Sequence, residues 1–448
     1  MISIPTEVAN TAPDPVLNRA FITANDAAAH LHESLKDRRN SEYAGFILKN
    51  QDGYFFPSTE ITDGGFAKDP NLPLAVLLKP DGKFVVPDGY TVAARFISHV
   101  DVMKGTEENL VERIQRKYFF TIPDLFAVMT HRRKFSSCYF SGSDGCLISY
   151  VSRNSEFEQE LSSQLSKAID GTSKTFERLY ARGAIPSSIL ILLAVAAGEV
   201  TAVIPGDLWR RRGRVNASWR KEILQQNPPI ELMPVCGPIF KDAKGAAHYA
   251  HTQMAEFRKK PPVKQYSGVI LKHKTKDVFV ATEPVDSDYA NFSRETLFPK
   301  DHNGKPQIPA DFRIYGIYHS MNPVPDNRLP SVEVELYKNF FSPSDMRIGL
   351  DRIAVAPNQR LFLSTLDGAV LRFASTEISK VTELLAKLAC QADGRHDIEQ
   401  QIIDGVMSPQ QFVDLVAAVG TLSVLYSSKT WPSIGQVHAP VATVIVEA

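Results

Sequence analysis

Cysteine is scarce in this 448-residue chain. Its four cysteines, Cys138, Cys146, Cys236 and Cys390, form no C-x-x-C pair. That excludes a zinc ribbon and a disulfide framework and fits a reducing compartment. Charge of one sign is absent as well: Lys+Arg and Asp+Glu both number 50. No global field draws the chain to nucleic acid or an anionic membrane, so no nucleic-acid partner is expected. There is no GxxxxGK[ST] and no GxGxxG, which removes the common phosphate-cradling loops. The most apolar run, Ser188 to Ile204, is interrupted by Glu199 and is short for a bilayer. It predicts a buried helix and no membrane span. The first residues, Met1 to Pro5, lack a basic region followed by an apolar core, so no secretory signal is expected. The expected location is the cytoplasm, or delivery by a secretion system that needs no signal peptide.

What the chain does contain is itself, twice. Glu42, Tyr43, Gly45, Leu48 and Lys49 are matched by Gln265, Tyr266, Gly268, Leu271 and Lys272, an offset of 223. Phe119-Phe120 matches Phe340-Phe341, and Asp144-Gly145 matches Asp367-Gly368. Gly183, Gly198, Trp209 and Gly213 match Gly405, Gly420, Trp431 and Gly435. The ordered series holds its offset between 219 and 223 along the whole chain, so it predicts a tandem duplication with units large enough for their own cores. The expected division is an N-terminal arm over 1–18, a first repeat with a helical tail over 19–226, a proline-rich linker over 227–234, and a second repeat over 235–448. Apolar β-type runs at Tyr43–Leu48 and Tyr90–His99, hairpins across Asp52-Gly53 and Asp144-Gly145, and helices after Asp26, Pro123 and Pro186 give an α/β (α+β) class. Each unit should hold a mixed sheet flanked by helices with a C-terminal helical pair.

Two stretches concentrate the chemistry. In the first, Arg95 to His99 and Asp101 are followed by Thr121-x-x-Asp124. In the second, Phe312 to His319 and Met321 are followed by Ser342-x-x-Asp345. Each reads as a strand ending on a histidine and a helix opening with a carboxylate. The expected correspondence sets His99 against His319, an offset of 220, and Asp101 against Met321.

This pattern resembles the JAB/MPN (JAMM) metalloprotease fold over roughly 20–152 and 240–375. It is most similar to the uncharacterised JAB-like domains of bacterial RHS-type polymorphic toxins. The resemblance implies a curved mixed sheet and, in active members, a Glu base on an early strand, a His-x-His and a Ser-x-x-Asp. Alternate residues of a strand share a face, so two such histidines and the helix Asp make three metal ligands, with a fourth place for water. The Glu takes the water's proton and the Ser hydroxyl meets the developing oxyanion.

Carried over, the metal set of the first repeat is His99, Asp101 and Asp124, with Glu42 as base and Thr121 in the serine's place. An oxygen-rich set of this kind accepts zinc or another divalent ion. The second repeat reads as a degenerate site: Gln265 for the base, His319, Met321 for the second imidazole, Ser342 and Asp345. A glutamine is no general base and a thioether is a poor zinc ligand. The leading expectation is a bacterial pseudoenzyme, toxin- or effector-associated, that binds a protein or peptide with no cofactor. Its alternative is a metal-dependent peptidase or isopeptidase working from the first repeat.

Other features have plainer readings. Trp209 to Arg214, with Trp219 to Lys221, is the densest basic cluster, and it reads as a solvated end of the first repeat, since Trp431 to Gly435 carries no such charge. The pairs His30/His32 and His248/His251 sit on predicted helices at spacings that diverge or converge only loosely, and a surface or capping role is expected. Neither Cys138 nor Cys390 has an evident partner for nucleophilic chemistry.

Overall fold

The computed structural model describes residues 19–36, 39, 42–58, 77–78, 84–99, 110–166, 175–216, 232–259, 264–293, 297–389 and 397–438. It is a mixed α/β protein with two mixed sheets. The chain divides into two compact units, one over Leu17–Val235 and one built on Cys236–Ala448. The division falls at Val235, just past the proline-rich stretch, most of which lies outside the described residues.

The first unit contains β1 (Tyr43–Asn50), β2 (Phe55–Pro57), the small pair β3 (Leu77–Leu78) and β4 (Phe84–Val85), β5 (Tyr90–Ser98), β6 (Ser137–Ser141), β7 (Leu147–Val151), β8 (Glu199–Ile204) and β9 (Gly213–Arg214). Its helices are α1 (Ala24–Leu35), α2 (Leu110–Lys117), α3 (Ile122–Thr130), α4 (Glu156–Ser166), α5 (Thr175–Ala181) and α6 (Ser187–Ala197). The sheet order is β2-β1-β5-β6-β7-β8-β9. All neighbours are antiparallel except β5 and β6. A parallel neighbour requires a crossover, and α2 and α3 occupy it. Thr23 caps α1, whose alanines Ala27 and Ala28 are small enough for the helix to lie close on Ile47, Phe96, Tyr139 and Leu147.

The second unit contains β10 (Tyr266–His273), β11 (Phe279–Ala281), β12 (Val285–Asp286), β13 (Phe312–Ser320), β14 (Arg360–Ser364), β15 (Val370–Ala374), β16 (Thr421–Tyr426) and β17 (Gly435–Val437). Its helices are α7 (Ala243–Arg258), α8 (Val334–Lys338), α9 (Pro343–Val355), α10 (Ile378–Lys387), α11 (Asp397–Ile403) and α12 (Pro409–Val419). The sheet order is β11-β10-β13-β14-β15-β16-β17, with one parallel neighbour pair, β13 and β14. Ala246, Ala247 and Ala250 of α7 seat that helix against Ile270, Tyr318 and Phe362.

Order, direction and register of the two sheets coincide. Gly45 lies opposite Phe96, and Gly268 opposite Tyr318. Each first strand carries an irregularity at the same place, between Ile47 and Leu48 and between Ile270 and Leu271. The hairpin glycines Gly145 and Gly368 both have φ near 90–100° (+90° and +102°), a left-handed backbone that costs glycine nothing. The indole N–H of Trp209 donates to Tyr118 O at 2.8 Å, and that of Trp431 to Asn339 O at 2.8 Å. Glu112 accepts from the backbone N–H of Ser187 at the start of α6, as Glu333 does from Gln410 at the start of α12, both at 2.7 Å. Two orphan helix donors are satisfied by the same device.

The register corrects one sequence correspondence. In the parallel ladders Phe96 pairs with Tyr139 and Tyr318 with Phe362, so β5 and β13 match at an offset of 222. His319 therefore occupies the place of Ile97, and Met321 that of His99. The two histidines do not correspond. They stand two residues apart on the same strand face.

The helical histidines also differ from expectation. His32 is fully buried: Nδ1 meets Ser141 Oγ at 2.8 Å and Nε2 meets Gly145 O at 2.9 Å. His251 Nδ1 meets Ser364 Oγ at 2.7 Å. His32 lies inside because Ser141 and Gly145 supply both its bonds, while His251 is half-buried. Desolvation, with Arg39 beside it, lowers the His32 pKa to about 3, and desolvation with Arg258 lowers that of His251 to about 4.

Candidate functional site

The site in the first unit lies where β5 ends and α3 begins. Thr121 is the N-cap of α3, and Asp124 is its N3 residue. They form a reciprocal capping box with proline inside the first turn, which explains why Thr-x-x-Asp opens this helix. The Asp124 carboxylate has a further partner. Its Oδ2 accepts from His99 Nε2 at 2.7 Å and from the Thr121 backbone N–H at 3.1 Å, and the Thr121 hydroxyl donates to the same oxygen. Arg95 Nη1 stands 3.7 Å from Oδ1. Asp124 is 6% exposed, whereas His99 and Arg95 are 28% and 29% exposed. Burial pushes the Asp124 carboxyl up. The His99 bond and charge, Thr121 and Arg95 outweigh it and hold the pKa below the ordinary carboxylate value.

The other side of the His99 ring lies tilted against Phe140, with ring centres 5.4 Å apart. Glu42 is exposed and directly precedes β1. The pairing of Tyr43 with Ser98, continued by one residue, puts Glu42 opposite His99. Asp101 lies outside the described residues. Cys138, opposite Arg95 in the ladder, is fully buried, and burial raises its thiol beyond nucleophilic use. Cys390 lies outside the described residues.

The second unit treats the same place differently. Ser342 and Asp345 again form a capping box with proline in the first turn, now on α9. His319 Nε2 is 3.6 Å from Asp345 Oδ2, a charge contact and not a hydrogen bond. Burial raises the Asp345 carboxyl, while His319 and the Ser342 cap pull it below its ordinary value. His319 is wholly buried, and neither ring nitrogen has a hydrogen-bond partner. Tyr289 covers it, ring on ring at 4.1 Å and 17°. Arg352 pins that cover, donating to Tyr289 O at 3.2 Å and Phe292 O at 2.6 Å, with its guanidinium 4.4 Å from the Tyr289 ring centre. Gln265 donates to Ser320 O and accepts from the Tyr289 backbone N–H, both at 3.0 Å. It ties the strand end to the covering loop. Met321 is buried beside it.

Searches against protein-family models, curated proteins and solved structures find no match. The site is therefore judged on its own donors. A JAB-type metal needs two imidazoles and a carboxylate. Among the described residues this site offers one imidazole, with Ile97 where the second unit has His319. Its carboxylate is engaged on one oxygen by His99 and Thr121 and faced on the other by a guanidinium, which repels a cation. The described residues do not fit a divalent ion, and among them no group of three His, Cys, Asp or Glu side chains converges.

The remaining sequence candidates fall elsewhere. Trp209 is buried as an anchor and Arg212 bonds the Val203 and Met233 carbonyls, leaving Arg210 and Arg211 exposed. Trp219 to Lys221 lie outside the described residues. Among the described residues no helix is long and apolar enough to cross a membrane. Two site residues escaped the sequence reading, Arg95 and Tyr289. Arg95 was legible as the residue four before His99 on the same strand face. Tyr289 lies in an irregular loop whose position no periodicity reveals.

Proposed function

We propose that this chain is a tandem pair of JAB-like units acting by binding a protein or peptide, with the first unit carrying the binding site and the second serving as a closed scaffold. The observation that carries this reading is the His99–Asp124 bond of 2.7 Å flanked by Arg95. The groups that would grip a metal are spent on one another, while the outer faces of His99, Arg95 and Glu42 stay open to a partner. Tyr289 over His319 and the bracketing role of Gln265 support the scaffold role of the second unit.

The test pairs metal analysis with one substitution. Full-length protein, incubated with zinc or manganese and desalted, is expected to retain less than one equivalent, and a chelator is expected to leave partner capture unchanged. Glu42→Gln is expected to leave capture within about twofold, since it removes a proton acceptor and keeps the shape. Stoichiometric metal together with peptide cleavage lost in Glu42→Gln would establish the metallopeptidase instead.

A further inference from the structure

One strong donor in the first unit's site makes an ion pair but, among the described residues, no hydrogen bond. Arg95 shares the strand face of His99, four residues earlier, and is 29% exposed. Among the described residues its guanidinium makes no hydrogen bond, and its charged neighbour, Asp124 Oδ1, is at 3.7 Å. The negative charge of Asp124 is already met on Oδ2 by His99 and by both donors of Thr121. The corresponding place in the second unit is Ile317, so the charge is not needed to build the fold.

The β1–β5 ladder, continued by one residue, puts the exposed Glu42 opposite the 28% exposed His99 at the other end of the strand. Arg95 is in register with Phe46, four residues along β1 from Glu42, or about 13 Å. The strand thus carries a planar cationic fork at one end and an exposed carboxylate at the other. We propose that Arg95 receives a carboxylate of the peptide partner. A carboxylate matches the bidentate fork of a guanidinium. A dianionic phosphate at Arg95 would meet the Asp124 carboxylate beside it, so the monoanion is favoured. The proposal rests on the binding reading above.

The test uses the full chain labelled with 15N-arginine, the Arg95 Nε–H signal being assigned by its loss in Arg95→Met. The probes are N-acetyl-diglycine, N-acetyl-aspartate amide and N-acetyl-diglycine amide, at matched ionic strength. The two carboxylates are expected to shift the Arg95 signal with a Kd on the order of 1 mM, and the amide to leave it still. Which carboxylate acts more strongly separates a chain terminus from an acidic side chain. Calorimetry is expected to show binding at least tenfold weaker in Arg95→Met and an intermediate loss in Arg95→Lys, which keeps the charge without the fork. Melting curves check that both variants fold. A silent Arg95 signal, or equal shifts from the amide, overturns the proposal. If Arg95 is silent while a protein partner still binds without metal, this proposal fails and the binding reading stands. If zinc binds and drives cleavage, the binding reading itself has failed.

Discussion

The first unit leaves the histidine at its strand end partly in solvent and bonded to a carboxylate; the second buries its histidine, unbonded, under a tyrosine. The two sheets share order, direction and register, so the difference lies in residues at the strand ends and in one loop. An imidazole at the His99 position reaches Asp124 at hydrogen-bond distance. An imidazole at the position of Ile97, which His319 holds, approaches its aspartate at 3.6 Å and must then be stabilised by stacking. One site satisfies its polar groups by pairing and stays open, the other by burial and is closed.

The comparison breaks most visibly if the cover is removed. Tyr289→Ala deletes a ring that is 1% exposed and leaves His319 facing a void. It is expected to destabilise the second unit by about 3–5 kcal/mol, read from the urea midpoint. A cost below about 1 kcal/mol would show that Tyr289 is no structural cover.

The carboxylates should differ in the opposite sense. Asp124→Asn weakens a charge-assisted bond to His99 and is expected to cost about 1.5–3 kcal/mol. Asp345→Asn keeps a capping side chain and loses only the longer His319 contact, so about 1 kcal/mol is expected. Equal losses in paired urea titrations would mean that the two His–Asp contacts do the same job.

Acid should erase the difference, because each unit sets a helix histidine against a serine, His32 fully buried and His251 half-buried. His32 and His251 have folded pKa values of about 3 and about 4 against an ordinary 6.5. Below 6.5 the unfolded chain takes up protons that the folded chain refuses, so stability falls as pH falls, down to about 3 for His32 and about 4 for His251. The slope in that window is about 1.4 kcal/mol per pH unit for each histidine. Denaturation series at several pH values should show the slope, and His32→Gln should roughly halve it. A pH-independent midpoint between 5 and 7 would contradict the lowered folded-state values of both rings.

The smallest effect is expected at Gln265→Glu, which gives the second unit the residue of the first. It loses the donation to Ser320 O, a cost of about 1 kcal/mol, and is expected to confer no zinc binding, since Tyr289 and Met321 remain. Stoichiometric zinc in that variant would show the second site to be less closed than its packing.

The repeat was readable from sequence because turns, caps and Gly positions are local constraints. An Asp-Gly turn needs a left-handed residue wherever it occurs, and a Ser/Thr-x-x-Asp with proline opens a helix regardless of what packs on it. Those signals also placed His99 and Asp124 at adjoining element ends. The pairing of His99 with His319 was misread because a strand repeats every two residues, so a shift of two preserves the face and the pattern alike. Only the hydrogen-bonded ladder fixes which residue stands opposite Gly45 or Gly268. Burial was equally illegible: His32 reads as a helix-surface residue, and it is inside because Ser141 and Gly145, more than a hundred residues away, leave room and supply its bonds. The order of the elements and the residues at their ends were therefore determined by the sequence alone. Whether each polar end is paired or covered was decided by contacts between residues far apart in the chain, which act only once the sheet has set their register.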